Sequence, residues 1–223
     1  KYPSPELGLR KWKEYIDAFG LGARLGIDVP GEVSGSVPSA DYYNRIYHKG
    51  GWKAHTIISL AIGQGELGVT PLQMANMTAA IANRGYYITP HLIKSIGDSS
   101  LQDHWKKHTI PIDKAHFETV IDGMRQVIDA GTGWGVRFSP DVNICGKTGT
   151  AQNPHGKDHS IFIAFAPQED PKIAIAVYVE NVGFGSTWAA PITSLMIEKY
   201  LTDSISRPHI EKRMIETVLL DAE

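Results

Sequence analysis

Val142–Glu180 reads VNICGKTGTAQNPHGKDHSIFIAFAPQEDPKIAIAVYVE. It holds three runs of strand length, Val142–Gln152, Ser160–Ala166 and Ile173–Glu180, separated by short links of turn-forming residues. Links that short predict an antiparallel meander, because a parallel return needs a crossover of a dozen or more residues. Beyond it, Thr187–Leu201 carries Trp188, Ile192, Leu195 and Met196 at helical spacing. That periodicity predicts a closing helix with these four side chains turned inward. Helices, then a meander, then a covering helix define an α+β fold.

Within the first run, Gly146-Lys147-Thr148 has two readings. A phosphate-binding loop needs a glycine five residues before Gly146 and a helix after Lys147. Position 141 is Asp, and the following residues read as strand. The phosphate reading fails on both counts. Lys-Thr-Gly on a strand fits better. That pattern resembles one element of the penicillin-recognising serine enzymes, and the resemblance implies that Lys147 supplies a cation beside the reacting hydroxyl, while Thr148 and Thr150, alternating to one face, offer two hydroxyls to a substrate carboxylate. Gly149 leaves the opposite space empty, and a strand edge presents N–H groups to an acyl oxygen.

Upstream, Leu9, Trp12, Ile16 and Phe19 predict a helix over Leu7–Phe19, ended by Gly20 and Gly22. Residues 20–39 read as a long irregular loop. Ile57–Ile62 is an apolar run of strand length. Thr70 as N-cap, Pro71 in the first turn and Gly85 beyond the end predict a helix over Thr70–Asn83. Tyr87–Ile96 reads as a strand, and a polar stretch extends to His108. Asp113–Ile128 is the next helix, with Phe117, Ile121, Met124 and Ile128 on one stripe, followed by the Gly-rich turn 131–135. Ile210, Met214 and Val218 give the tail a helical pattern over Pro208–Leu220.

The 223 residues carry 22 basic and 24 acidic side chains, a net charge of −2, so the electrostatic footprint of a nucleic-acid binder is missing. The one cysteine, Cys145, has no partner for an internal disulfide and reads as a small buried hydrophobe. No run approaches the ~18 to 20 apolar residues of a membrane helix. The opening Lys1-Tyr2-Pro3 has neither an initiator Met nor a leader, which reads as a piece of a longer protein.

Three rival sites fail on context. Gly63-Gln64-Gly65-Glu66-Leu67-Gly68 matches a dinucleotide pattern, but no acid follows between Leu67 and Gly97, and the helix starts too late at Thr70-Pro71. His155, Asp158 and His159, and the pair His104 and His108 at i, i+4 spacing, lack the thiols of a closed zinc site and lie in polar segments. They read as solvated loop residues, with His159 suited to a structural hydrogen bond. No metal and no cofactor is expected. Ser39-Ala40-Asp41 reads as an N-cap to a helix through Tyr42-Tyr43.

Four blocks carry a family resemblance: Leu25–Glu32 (LGIDVPGE); Ile62–Gly65 with Val69–Ala75 (IGQG, VTPLQMA); Gly146–Gln152 (GKTGTAQ); and Phe162–Pro167 (FIAFAP). In that order they resemble the C-terminal part of the class B penicillin-binding proteins, elongation-type and penicillin-binding protein 2-like. The resemblance covers residues 1–201; the tail, residues 202–223, matches no block and is expected to be helical in part. It implies the penicillin-binding and serine β-lactamase-like transpeptidase fold and a peptidoglycan D,D-transpeptidase. Such an enzyme joins stem peptides through a serine acyl-enzyme and is acylated by β-lactams.

The resemblance assigns Lys147 and the Thr150 backbone N–H, as oxyanion donor, to catalysis. It assigns Thr148, Gly149, Thr150 and Gln152 to substrate binding. The loop Asn153–Asp158 would border the cleft. The family's Ser-x-x-Lys nucleophile and Ser-x-Asn element are absent from this chain, which alone is expected to be inactive. Implied partners are stem peptides, β-lactams and membrane proteins of cell-wall elongation; the implied location is the bacterial inner membrane, periplasmic face, with the anchor upstream. The rival reading is a non-catalytic module of the same fold acting as a cell-wall assembly scaffold.

Overall fold

The computed structural model of the chain describes residues 2–100 and 105–219. It divides into two compact units, one of residues up to Ala80 with Gly85–Ile112, the other of Ile81–Arg84 with Asp113 onward.

In the first unit, helix α1 spans Pro5–Ala18 and starts two residues before its predicted position. Ser4 Oγ accepts the Leu7 N–H at 3.2 Å, and Pro5 fills the first turn, where its missing N–H leaves nothing unpaired. Helix α2, Ala40–Tyr47, begins on Ser39, whose Oγ accepts the Tyr42 N–H at 3.1 Å. Leu9, Ala40, Tyr43, Trp52 and Leu60 bury together beneath these helices. Residues 20–39 form the expected irregular loop, and its acids organise it: the Glu32 carboxylate accepts the N–H groups of Leu25, Gly26 and Ile27. Helix α3, Pro71–Ala82, opens with a reciprocal cap in which Thr70 Oγ1 accepts the Gln73 N–H and Gln73 Oε1 accepts the Thr70 N–H. The Gln73 amide then donates to Ala23 O and Ser34 O, both at 2.8 Å, pinning the loop to the helix.

Two expectations for this unit fail. Ile57–Ile62 belongs to a 3-10 helix, Ala54–Ile62, rather than a strand. Periodicity does not separate the two for so short an apolar run. The ends decide it, because Thr56 Oγ1 accepts the Lys53 N–H and Gly63 takes a left-handed φ of 75° to stop the turn. The predicted strand Tyr87–Ile96 is broken into β1, Tyr86–Ile88, and β2, Ser95–Ile96. Pro90 brings no N–H for a ladder, and the Leu92 and Ile93 N–H groups donate to the Asp28 carboxylate instead. β2 pairs with β3, Ser99–Ser100, and β1 with β4, Lys107–Thr109, both antiparallel.

The second unit contains the meander. Helix α4, Lys114–Asp129, is capped by Asp113 and buries Phe117, Ile121, Met124 and Ile128, the predicted stripe. Strands β5, Cys145–Ala151, β6, His159–Ala166, and β7, Ile173–Val179, form one antiparallel sheet in that order. Register sets Cys145 opposite Phe165, Thr148 opposite Phe162 and Thr150 opposite Ser160. One face carries Phe162, Ala164 and Ile175, packed with Ala189, Ala190 and Ile197 of helix α5, Ala189–Thr202. The other face packs Cys145 and Phe165 against Ala82, Ile121 and Met124.

The face of α5 differs from expectation. Leu195 is buried, but Met196 is 51% exposed, while Thr193, Ser194 and Glu198 are buried with Ile197. A hydrophobic stripe misplaces this face because three of its inward residues are polar and internally hydrogen-bonded. Helix α6, Pro208–Glu216, supplies the helical part of the tail. The predicted pattern runs on to Leu220, but the helix stops at Glu216, where Thr217 turns to extended backbone and leaves Val218 exposed; His104 and residues 220–223 lie outside the described residues.

Candidate functional site

β5 has β6 on one side, and among the described residues no strand pairs with its other edge. Strand alternation and the register send Lys147 and Gly149 to the face of Ile163 and Ile161, and Thr148 and Thr150 to the face of Phe162 and Ser160. Lysine and threonines therefore leave the strand on opposite sides. The four-carbon stem of Lys147 reconciles them: its Nζ turns back and donates to Thr148 O at 2.8 Å, holding the ammonium at the level of the main chain. Lys147 is exposed, Thr148, Gly149 and Thr150 are half-buried, and Gln152 is exposed just past the strand.

The space beside Gly149 is not empty, contrary to the sequence reading. A methyl there would come 3.2 Å from Ile161 Cβ. Over the same strand pair lies Gly185, buried so closely that an added Cβ would stand 2.3 Å from Ile161 O and 2.4 Å from Gly149 O. Only glycine allows that approach.

Two loops hold the threonines. Thr132, in the Gly-rich turn after α4, has its Oγ1 2.8 Å from Thr148 Oγ1. Gly185 N–H points to Thr150 Oγ1 at 3.5 Å. Ser160, opposite Thr150 and fully buried, ties the second loop down: its hydroxyl donates to Phe184 O at 2.8 Å and accepts the Ala189 N–H at 3.0 Å. Ser160 thus caps α5, which has no side-chain cap of its own. Thr132, Ser160 and Gly185 were not among the predicted site residues. Their signals are faint: a glycine cluster at 131–135, a serine opening an apolar strand, and glycines flanking Phe184.

The remaining candidates fall to structural roles. Cys145 is fully buried, and burial pushes its thiol up to about 12, so it is not a nucleophile at neutral pH. His108 stands on β4, not on a helix; its ring stacks on Tyr87 and its Nε2 lies 3.0 Å from Thr89 Oγ1. His159 Nδ1 accepts the Asn181 N–H at 3.1 Å, and Asp158 Oδ1 accepts the Asn153 N–H. Among the described residues no three His, Cys, Asp or Glu side chains converge as metal ligands.

A free strand edge with a lysine and two threonines, flanked by glycine-tight loops, is a geometry that receives an extended peptide. The penicillin binding protein transpeptidase domain family matches residues 4–198. Peptidoglycan D,D-transpeptidase MrdA of Haemophilus influenzae is 32% identical over 227 residues, covering 92% of this chain and 34% of the relative. The chain thus spans about a third of the length of that curated relative. Among solved structures, Pseudomonas aeruginosa PBP2 in complex with WCK 5153 superposes with a TM-score of 0.79 at 35% identity, covering 89% of this chain and 43% of that one. A chain of a solved peptidoglycan synthase complex, described for the coordination of polymerization and crosslinking, gives 0.78 at 28% identity, covering 91% and 34%. The α+β architecture, the four blocks in order and these matches agree: the chain belongs to the penicillin-binding protein transpeptidase family, within its elongation-type, penicillin-binding protein 2-like group.

Proposed function

We propose that residues 1–201 form part of a peptidoglycan D,D-transpeptidase domain and contribute its Lys-Thr-Gly wall, with residues 202–223 as its C-terminal tail. The observation that carries the reading is β5: an edge strand with Lys147, Thr148 and Thr150 on it and a free side where a peptide adds as a further strand. The serine nucleophile belongs to a Ser-x-x-Lys element not present in this chain. Its oxygen bonds to a stem-peptide carbonyl as the peptide bond breaks and an amine leaves. An amino group of a second stem peptide then takes the acyl group, releasing the serine.

In that scheme the Lys147 side chain stands beside the reacting hydroxyl. Thr148 and Thr150 hydroxyls bind the substrate carboxylate, the Thr150 N–H supports the oxyanion, and Gly149 and Gln152 line the bound strand. The hairpin Asn153–Asp158 borders the peptide. β-Lactams follow the same route to an acyl-enzyme. We place the full-length protein at the bacterial inner membrane, periplasmic face, with membrane proteins of cell-wall elongation as partners; the likeness to a chain of a peptidoglycan synthase complex supports the partnership. No helix among the described residues is long and apolar enough to cross a membrane.

Fluorescent penicillin tests the reading. The full-length protein should carry the label covalently through a denaturing gel, and the isolated chain should not. An unlabelled full-length protein, under conditions that label a known transpeptidase, would overturn the enzyme reading in favour of the scaffold.

A further inference from the structure

The tail is fastened by an ion pair at the base of α5. Glu198 is 2% exposed, and its carboxylate accepts the Ser206 N–H at 2.9 Å, the Ser206 hydroxyl, and the Arg207 guanidinium at 2.8 and 3.0 Å. Arg207 is bound on two further sides. Its Nη2 donates to Ser194 Oγ at 2.7 Å, and its guanidinium lies over the Phe138 ring, 5.5 Å from the centroid. Ser194 Oγ in turn donates to Val136 O. Val136, 1% exposed, closes the Gly-rich turn that carries Thr132.

Backbone bonds tie that turn together. Trp134 N–H bonds to Gly131 O, Val136 N–H to Gly133 O, and Gly133 N–H to Val127 O at the end of α4. Gly131 is required, since a Cβ there would stand 2.9 Å from both Val127 Cα and Val127 O. Whatever fixes Val136 and Phe138 therefore fixes Thr132, whose hydroxyl meets Thr148 at 2.8 Å. We infer that Arg207 is a positioning residue, acting through Ser194, Val136 and the 131–136 turn to hold Thr132 against Thr148 on the substrate-binding strand. The inference rests on the proposed transpeptidase reading for its catalytic consequence but not for its structural one. Hydrogen-bond networks of this kind transmit a change because one lost member leaves the others buried and unpaired.

Arg207→Ala and Ser194→Ala in the full-length protein separate the parts. Ser194→Ala breaks the relay while leaving the Arg207–Glu198 pair, so it remains informative if Arg207→Ala fails to fold. Two readouts are taken: hydrogen exchange of a peptide covering 131–137, with a peptide from 117–124 of α4 as internal control, and the rate of β-lactam acylation. Both variants should raise exchange at 131–137 at least about tenfold with the α4 peptide within about twofold. Acylation should slow by about tenfold, on the scale at which small misplacements cost up to about 10²-fold. Unchanged exchange at 131–137 in Ser194→Ala, or equal deprotection of both peptides, overturns the inference. Raised exchange with unaltered acylation overturns its catalytic part. A wild-type protein that never acylates overturns the transpeptidase reading, while the exchange data still decide the relay.

Discussion

Gly185→Ala puts a methyl into the main chain of the candidate site. The added carbon would lie 2.3 Å from Ile161 O, 2.4 Å from Gly149 O and 3.2 Å from Gly149 N. Ordinary carbon–oxygen approach is about 3.3 Å or more, so both carbonyls are overrun by about 1 Å. Neither can rotate aside, because β5 and β6 pair Gly149 with Ile161 directly. The loop must lift instead. Overpacking of this kind costs about 1–3 kcal/mol. Lifting also strains the Ser160 bonds to Phe184 O and Ala189 N–H, and a fully buried hydroxyl left unpaired adds about 1–3 kcal/mol. A total of about 2–6 kcal/mol corresponds to a fall in Tm of about 4–24 °C at this chain length. Differential scanning calorimetry reads it. Gly123→Ala is the matched control: Gly123 lies within α4, a Cβ there meets nothing within 4 Å, and helix propensity predicts a gain of about 0.5–1 kcal/mol. Opposite signs for the two substitutions are expected. A Gly185→Ala protein melting within about 1 °C of wild type would refute the packing argument.

Two further outcomes follow from titratable groups. Hydrogen bonds from Ile93 N–H, and then Leu92 N–H, hold the Asp28 carboxyl below its ordinary range. A depressed folded-state value means the Asp28 contribution is present in full above the ordinary carboxylate range and is lost as pH falls through the folded value. Asp28→Asn should therefore lower stability at neutral pH and flatten the acid side of the stability profile; urea melts across pH that keep the same slope in the variant would disprove this. Cys145 should resist a thiol reagent at neutral pH until the protein unfolds, since its thiol is raised to about 12 and fully buried. Mass spectrometry showing rapid labelling of the native chain would contradict the burial.

The meander was legible because each run is short, apolar and bounded by turn residues, and because Thr70-Pro71, Asp113 and Ser39 announce their helices by capping chemistry. What escaped was governed by partners distant in sequence. Ile57–Ile62 looks the same as strand or 3-10 helix until Lys53, Thr56 and Gly63 close its ends. Pro90 and the Asp28 carboxylate break the run from Tyr87 because an acid 64 residues upstream takes the Leu92 N–H. On α5, Ser194 and Glu198 stand outside the predicted apolar stripe, and the return of Arg207 pairs both in the interior. At the site, the Lys-Thr-Gly strand was visible as a motif. Thr132 and Gly185 were not, since a threonine in a glycine turn and a glycine after a strand have no chemistry until the fold brings them to Thr148 and Thr150.

The same pattern explains why the Lys147 side chain could not be oriented from sequence. Alternation sets it opposite to Thr148, and its hydrogen bond to Thr148 O depends on the length of its stem.

The central claim is that β5 is the Lys-Thr-Gly wall of a transpeptidase site. Its most direct measurement is the second-order rate of β-lactam acylation of the full-length protein carrying Lys147→Ala, taken beside its melting temperature. Lys147 is exposed and, among the described residues, its side chain bonds to a neighbouring carbonyl, so the fold should survive with Tm unchanged. Loss of a charged hydrogen-bond donor, about 1.5–3 kcal/mol, should slow acylation by at least about tenfold. Acylation at the wild-type rate with an unaltered melt would contradict the assignment.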